Sequence, residues 1–191
     1  MKDIEIEVQL RVSKTDKLVA FLEKEAEFTG ESYQKDEYLV PPHRDFVATK
    51  PVKEWLRVRE SDKKSSVNYK NWHYDESGRS THCDEYETPI EDVDQMRKIF
   101  AAIDIKPLIT VEKKRKTYRY KDYEVALDEI TDLGNFVEVE YKGEDPNVVP
   151  TEVTAGMIAW LKEIDCGVIE RNYVGYPFML LYPAEVKFEV V

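Results

Sequence analysis

The sequence predicts an α+β fold, a closed eight-stranded antiparallel β-barrel with its helices packed outside, formed as a single domain over residues 1–191. Three observations lead there. Roughly eight extended segments stand against three or four helical ones, with connections short enough for antiparallel neighbours. Many of the extended segments alternate apolar residues with charged ones. The helices carry apolar stripes that must be covered, and the apolar faces of those strands are the surfaces on offer. Covering them from outside turns the charged faces inward, and closing the sheet removes its free edges.

A chain of 191 residues with 42% hydrophobic content can bury the core of one domain. Its formal net charge of −11 argues against a nucleic-acid binder, which needs a basic face. Cys83 and Cys166 have neither paired metal-ligand spacing nor the density of a disulfide scaffold, so reduced thiols and a cytoplasmic location are expected. No apolar run approaches the roughly 20 residues of a membrane span.

Ile4, Ile6, Val8, Leu10 and Val12 alternate with Glu5, Glu7, Gln9 and Arg11, the pattern of a strand with one apolar face. Ser13 stands as an N-cap with Asp16 three residues on. Leu18, Val19, Phe21, Leu22 and Ala26 then recur at helical spacing until Gly30 offers a stop. An extended stretch over 33–40 runs into Pro41-Pro42 and a loop holding His43-Arg44-Asp45-Phe46. Strands are expected over 55–60, 66–72 and 81–88. Pro89 with Glu91, Asp92 and Asp94 opens a second helix, whose buried stripe would be Val93, Met96, Ile99 and Phe100. Further strands are expected over 108–120, 123–130 and 136–142. A third helix over 151–163 carries Val153, Met157, Ile158, Trp160 and Leu161, and the segment 171–182 is apolar enough to pack on the domain.

The charged faces carry the chemistry. Arg57 and Arg59 alternate with Leu56 and Val58, Asp128 follows Leu127, and Glu138 and Glu140 alternate with Val137, Val139 and Tyr141. On a one-sided sheet such faces would meet water. Turned inward, they place Glu5, Glu7, Glu85, Glu87, Asp128, Glu138 and Glu140 beside Arg11, Arg57, Arg59, Lys70, Lys113 and Arg115. Buried charge on this scale is costly unless it is paired or used. Crowded carboxylates repel unless hard divalent cations sit between them, and Mg²⁺ or Mn²⁺ prefers such oxygen ligands. Guanidinium forks match phosphate oxygens, so a polyanion would complete the charge balance.

At this point the sequence resembles the CYTH family, also called triphosphate tunnel metalloenzymes, which includes class IV adenylyl cyclases, thiamine triphosphatases and inorganic triphosphatases. The resemblance rests on an ordered set: Glu5-Ile6-Glu7-Val8-Gln9, Leu56-Arg57-Val58-Arg59, Tyr69-Lys70, Glu85-Tyr86-Glu87, Lys113-Lys114-Arg115, Leu127-Asp128, and Leu133-Gly134-Asn135-Phe136-Val137-Glu138-Val139-Glu140. It implies metal ligation by Glu5, Glu7, Asp128, Glu138 and Glu140. It implies triphosphate binding by Arg57, Arg59, Lys70, Lys113 and Arg115, with Arg11, Lys70, Glu85 and Glu87 as catalytic candidates. Mg²⁺ or Mn²⁺ is the expected cofactor.

Within the family, Gln34-Lys35-Asp36-Glu37-Tyr38 and Pro42-His43-Arg44-Asp45-Phe46 most resemble the class IV adenylyl cyclases. Conversion of ATP to cyclic AMP and pyrophosphate is therefore expected. The alternatives are a triphosphatase acting on inorganic, thiamine or nucleoside triphosphate, and a protein that binds polyphosphate or nucleotide without turnover. ATP or another triphosphate is the expected partner, with no nucleic acid and no membrane, and a homodimer is left open. One departure stands out: the family opens with Glu-x-Glu-x-Lys, and this chain has Gln9 at the lysine. Either Arg11, two residues on and on the same face, supplies the charge, or the barrel binds with weakened catalysis. His43 is expected to serve as a turn residue, and His73 and His82, flanking a glycine-containing turn, to face solvent.

Overall fold

The structure is a computed structural model that describes residues 4–145 and 147–191. The N-terminal alternation forms β1 (Ile4–Glu5) and β2 (Glu7–Val12), followed by α1 (Thr15–Glu25) and the long β3 (Glu27–Val40). Then β4 (Glu54–Ser61), β5 (Ser66–Tyr74) and β6 (Ser80–Pro89) precede α2 (Val93–Ala102). β7 (Lys106–Tyr120), β8 (Tyr123–Ile130) and β9 (Gly134–Tyr141) lead to α3 (Pro150–Glu163), β10 (Ile169–Asn172), α4 (Gly175–Leu181) and β11 (Glu189–Val190). This is an α+β fold whose antiparallel ladders run in the order β1-β6-β5-β4-β3-β7-β8-β9-β2-β10-β11.

The expected ring of eight strands is instead a linear order of eleven. Ile6 divides the first strand. Ile4 and Glu5 pair with Asp84 and Cys83 of β6, whereas Glu7 to Leu10 pair with Glu140 to Val137 of β9. From Gln9 onward the other edge of β2 is occupied by β10, with Gln9 opposite Asn172 and Val12 opposite Ile169. Each backbone edge serves one neighbour, so β10 keeps β6 from extending its ladder along β2. The start of the segment expected only to pack on the domain is thus a strand of the sheet.

The helices cover the strands' apolar faces where the sequence places them. Val8 and Leu10 of β2, Val125 of β8, and Val137 and Val139 of β9 are buried under Leu18 and Leu22 of α1 and Met157 and Leu161 of α3. A second cluster joins Tyr38, Trp55, Val111, Ile130 and Phe136 to Tyr176, Phe178 and Met179 of α4. Three local expectations are corrected. Ser13 does not cap α1; its Oγ accepts the Val168 N–H at 2.9 Å, tying the strand end to β10 instead. Gly30 does not stop the helix, which has already given way to β3; it sits at φ 154° where the ladder with β7 shifts register. No residue of α2 is buried, and Ile99 is 55% exposed. That helix is capped by Asp92, which accepts from the Gln95 N–H at 2.9 Å. Arg97 ties it to the sheet, reaching Glu37 and Glu60 at 2.9 Å each. None of the described helices is long and apolar enough to cross a membrane.

The contrast between covered and uncovered stripes is measurable. Leu161→Ala, in the fully buried cluster, should lower unfolding free energy by about 2–5 kcal/mol. Ile99→Ala should change it by no more than about 0.5 kcal/mol. Equal effects in chemical denaturation would show that α2 covers core after all.

Candidate functional site

Side chains two residues apart on a strand share a face, so the charged alternations of successive strands meet on the same side of the sheet. There they enclose a cavity of about 210 Å³, to which each of β1 to β9 contributes at least one side chain. Its walls carry Glu5, Glu7 and Gln9 from the N-terminal strands, Arg57 and Arg59 from β4, and Asn68 and Lys70 from β5. Glu85 and Glu87 come from β6, Lys113 and Arg115 from β7, and Glu138 and Glu140 from β9. Val174 to Pro177, at the start of α4, close one side.

One end of the cavity is dominated by cations held on buried acids. Asp36 of β3, 1% exposed, accepts from Arg59 Nε and Nη2 at 2.7 Å each and from Arg57 Nη1 at 3.4 Å. Burial pushes its carboxyl up, but Arg57, Arg59 and Lys113 together hold it well below the usual range. Arg115 forms a fork on Asp128 at 2.7 and 2.6 Å, and its Nη2 also donates to Glu138 Oε1 at 2.9 Å. Tyr176 donates its hydroxyl to Asp128 Oδ2 at 3.1 Å. Lys113 Nζ lies 3.8 Å from Asp36 and 3.9 Å from Asp128. Burial and the charge of Arg115 bring Lys113 down to about 8. Glu138 is raised by burial but lowered further by Arg115, Lys113 and Lys70, and ends below the usual range.

The other end is rich in acid. Lys70 donates to Glu5 and, at 3.3 Å, to Glu7, and stands 3.7 Å from Glu85, while Glu140 pairs with Lys142. Four carboxylates thus share two cations. Burial raises Glu5, and burial reinforced by the charge of Glu5 raises Glu7. Burial lifts Glu140 to about 7 despite Lys142. Asn68 donates to Glu85 and Glu87.

The fit to a divalent cation differs between the two ends. Glu5, Glu7 and Glu140 offer hard oxygen donors that suit Mg²⁺ or Mn²⁺. Asp128 does not, because its oxygens are taken by Arg115 and Tyr176. Glu138 divides its oxygens between Arg115 and the Gln9 amide, whose Nε2 donates at 3.2 Å. Among the described residues no three acid, histidine or cysteine groups converge as a preformed metal cluster. Of the five acids named from the sequence, Glu5, Glu7, Glu138 and Glu140 line the cavity in two environments, and Asp128 is buried behind its wall on Arg115.

Arg11 is the site residue that the structure places elsewhere. Its guanidinium stacks over Phe136 and Phe188, 4.7 and 4.3 Å from the ring centroids, and donates to the Leu133 carbonyl at 3.3 Å. It lies beyond the cavity wall, where β10 flanks β2 and aromatic faces give a cation a better seat than an already charged interior. Arg11 therefore does not replace the charge missing at Gln9. The sequence reading missed Asp36 and Tyr176 as parts of the site. Asp36 was detectable: Gln34, Asp36 and Tyr38 alternate on the strand whose partner across the ladder is Arg59. His43 is exposed, and His73 is exposed with half-buried His82 stacked on it at 4.5 Å.

Comparison with known proteins agrees with this architecture. Residues 3–156 match the CYTH domain family. A protein of Methanocaldococcus jannaschii, provisionally named an adenylate cyclase, is 30% identical over 175 residues, 90% of this chain and 97% of its own length. A solved protein of Pyrococcus horikoshii superposes with a TM-score of 0.73 at 26% identity, covering 94% of this chain and 99% of that one. A Hippeastrum protein, provisionally named an adenylyl cyclase and described as revealing a dominant triphosphatase activity, superposes with a TM-score of 0.64, covering 95% of each chain. At 20% identity it speaks to the fold alone. The family match takes in every strand from β1 to β9, and with them all the strand residues of the cavity: the chain belongs to the CYTH domain family.

Proposed function

We propose that this chain is a metal-dependent enzyme that grips the triphosphate of ATP within the cavity and converts it to cyclic AMP and pyrophosphate. The observation that carries this reading is the pair of cationic walls. Arg57 and Arg59 project from β4, Lys113 and Arg115 project from β7, and β3 lies between them with Asp36 at its centre. Two i, i+2 pairs facing one space can hold a chain of phosphates from both sides, and guanidinium forks fit its oxygens. The reading of the interior as a tunnel rests on the same lining, which draws on nine of the eleven strands.

Glu5, Glu7 and Glu140 would hold Mg²⁺ or Mn²⁺, which when bound neutralises phosphate charge and acidifies an attacking hydroxyl or water. Arg57, Arg59, Lys113 and Arg115 neutralise the charge that develops on departing pyrophosphate. Lys70 links the acid end to the phosphates, and Glu85 and Glu87 hold Asn68 beside it. The choice of ATP cyclisation follows the name given to the Methanocaldococcus relative. Hydrolysis of a triphosphate is a second reading, and one observation favours it. A cavity of about 210 Å³ is smaller than the roughly 300–1,000 Å³ typical of sites that enclose a drug-sized molecule. It accommodates a phosphate chain and leaves any nucleoside at its mouth.

Three outcomes test the proposal. Pure protein with ATP and Mn²⁺ or Mg²⁺ should yield cyclic AMP and pyrophosphate, separated by chromatography. Orthophosphate from ATP, tripolyphosphate or thiamine triphosphate would favour hydrolysis, and no product from any of them would exclude both reactions. Arg59→Lys keeps the charge but loses the fork, so tripolyphosphate affinity measured by calorimetry should fall about tenfold. Unchanged affinity would remove Arg59 from the phosphate site. Asp36→Asn leaves the half-buried Arg59 guanidinium without its counter-ion and the buried Arg57 with only Glu87, 3.5 Å away, and should cost about 3–5 kcal/mol at neutral pH. Because Asp36 is depressed in the folded state, its contribution is present above about pH 4 and lost as pH falls below that. The variant's stability should therefore vary less with pH over that acid range than the wild type's, as followed by denaturant titrations.

A further inference from the structure

Arg171 of β10 lies beyond the residues that the family match spans, and its surroundings are unusual for a buried cation. It is 6% exposed, yet enters no ion pair among the described residues. Its ladder partner is Leu10, and its side chain donates Nη2 to the Ser80 carbonyl of β6 at 3.0 Å. The guanidinium lies 4.5 Å from the Tyr173 ring centroid, and its buried Nε has no hydrogen-bond partner. Burial pulls the group below its ordinary value, against which Tyr173 and Glu189 act only in part. A buried guanidinium without a carboxylate is destabilising by itself.

Gln9, on the neighbouring strand, has the complementary defect. Its Nε2 donates to Glu138 Oε2, and since a carboxylate only accepts, this contact fixes which end of the amide faces the main cavity. Oε1 is thereby turned the other way, where it is buried and without a partner. A Cβ at Gly175 would stand 3.9 Å from it, which places it beside the start of α4. A second, small cavity of about 20 Å³ is lined by Glu7, Gln9, Ser80, Arg171 and Asn172 and shares Glu7 and Gln9 with the main one. That volume suits one water molecule, and the two residues with an orphaned donor and an orphaned acceptor, Arg171 and Gln9, both line it.

We infer that Arg171 is a positioning residue for Gln9: through one bridging water in the small cavity it fixes the amide with Nε2 toward Glu138 and the phosphate chain, and sets a positive charge behind a neutral side chain. The inference rests on the triphosphate reading of the main cavity. Arg171 does not touch the phosphates; its effect passes through the amide.

Tripolyphosphate binding by calorimetry, at fixed Mg²⁺, tests this in a cycle of wild type, Arg171→Met, Gln9→Ala and the double variant, with melting temperatures alongside. Arg171→Met should hold or raise the melting temperature, because an apolar side chain of similar length replaces an unpaired buried charge. It should nevertheless weaken tripolyphosphate by about fivefold when Gln9 is present, a loss of less than the 1.4 kcal/mol that corresponds to tenfold, and leave affinity unchanged when Gln9 is alanine. Arg171→Gln gives the same readout if the methionine variant does not fold. Equal weakening in both backgrounds, or none in either, would overturn the inference while leaving the triphosphate reading intact. Failure of the wild type to bind tripolyphosphate would instead overturn that reading.

Discussion

Asp36 lies at the centre of the sheet with two guanidinium groups and an ammonium around it, and the arrangement of β4, β3 and β7 follows from holding it there. The register that sets Asp36 opposite Arg59 on one side and Val111 on the other also brings Arg57 and Lys113 within reach. A slip of one residue would turn each strand's charged set toward the helices and its apolar set toward the cavity. An uncompensated buried ion costs several kcal/mol, and the total stability of a domain is about 5–15 kcal/mol. No shifted register of these three strands can compete. The charges that define the site therefore also specify the pairing that builds it.

This charged interior is poor at supplying stability, since desolvation offsets much of what buried ion pairs return. Stability comes from the opposite face of the sheet. There Leu18, Leu22, Met157 and Leu161 bury the outward residues of β2, β8 and β9. Each such side chain contributes roughly 1.5–3 kcal/mol by leaving water. The division of labour lets the cavity carry crowded, raised carboxylates such as Glu7 and Glu140 without unfolding the sheet. It also explains how α2 can remain on the surface, since ion pairs through Arg97 hold it to the sheet while none of its side chains is fully buried.

Alternation was legible because it reflects a period-two backbone, and it correctly placed Arg57, Lys113, Asp128 and Glu138 among buried positions. Where the sequence reading failed, a tertiary contact had outcompeted a local signal. Ser13 has the chemistry of a cap, but β10 offers its hydroxyl a backbone N–H in a ladder already formed. Gly30 looks like a helix stop, and its positive φ is used for a bulge in β3 instead. The α2 stripe has helical period, but period cannot say whether a surface exists to receive it. Arg11 shares a face with Glu5 and Glu7 by alternation alone, and only the positions of β10, Phe136 and Phe188 reveal that the cavity ends at Gln9. The open order of the sheet was likewise invisible, because it depends on which neighbour the edge of β2 accepts.

Glu138 joins the two halves of the cavity. It accepts from Arg115 at the cationic end and from Gln9 on the N-terminal strand, and the charge of Lys70 also acts on it. Its own charge helps to raise Glu7 in the acid end. A polyanion drawn to Arg115 would compete with Glu138 for the same N–H groups, and a divalent cation drawn to Glu7 would relieve the repulsion that Glu138 contributes. Each event frees or neutralises the same carboxylate. A ligand at one end would thus lower the cost of binding one at the other, the coupling passing through the partners of a single side chain.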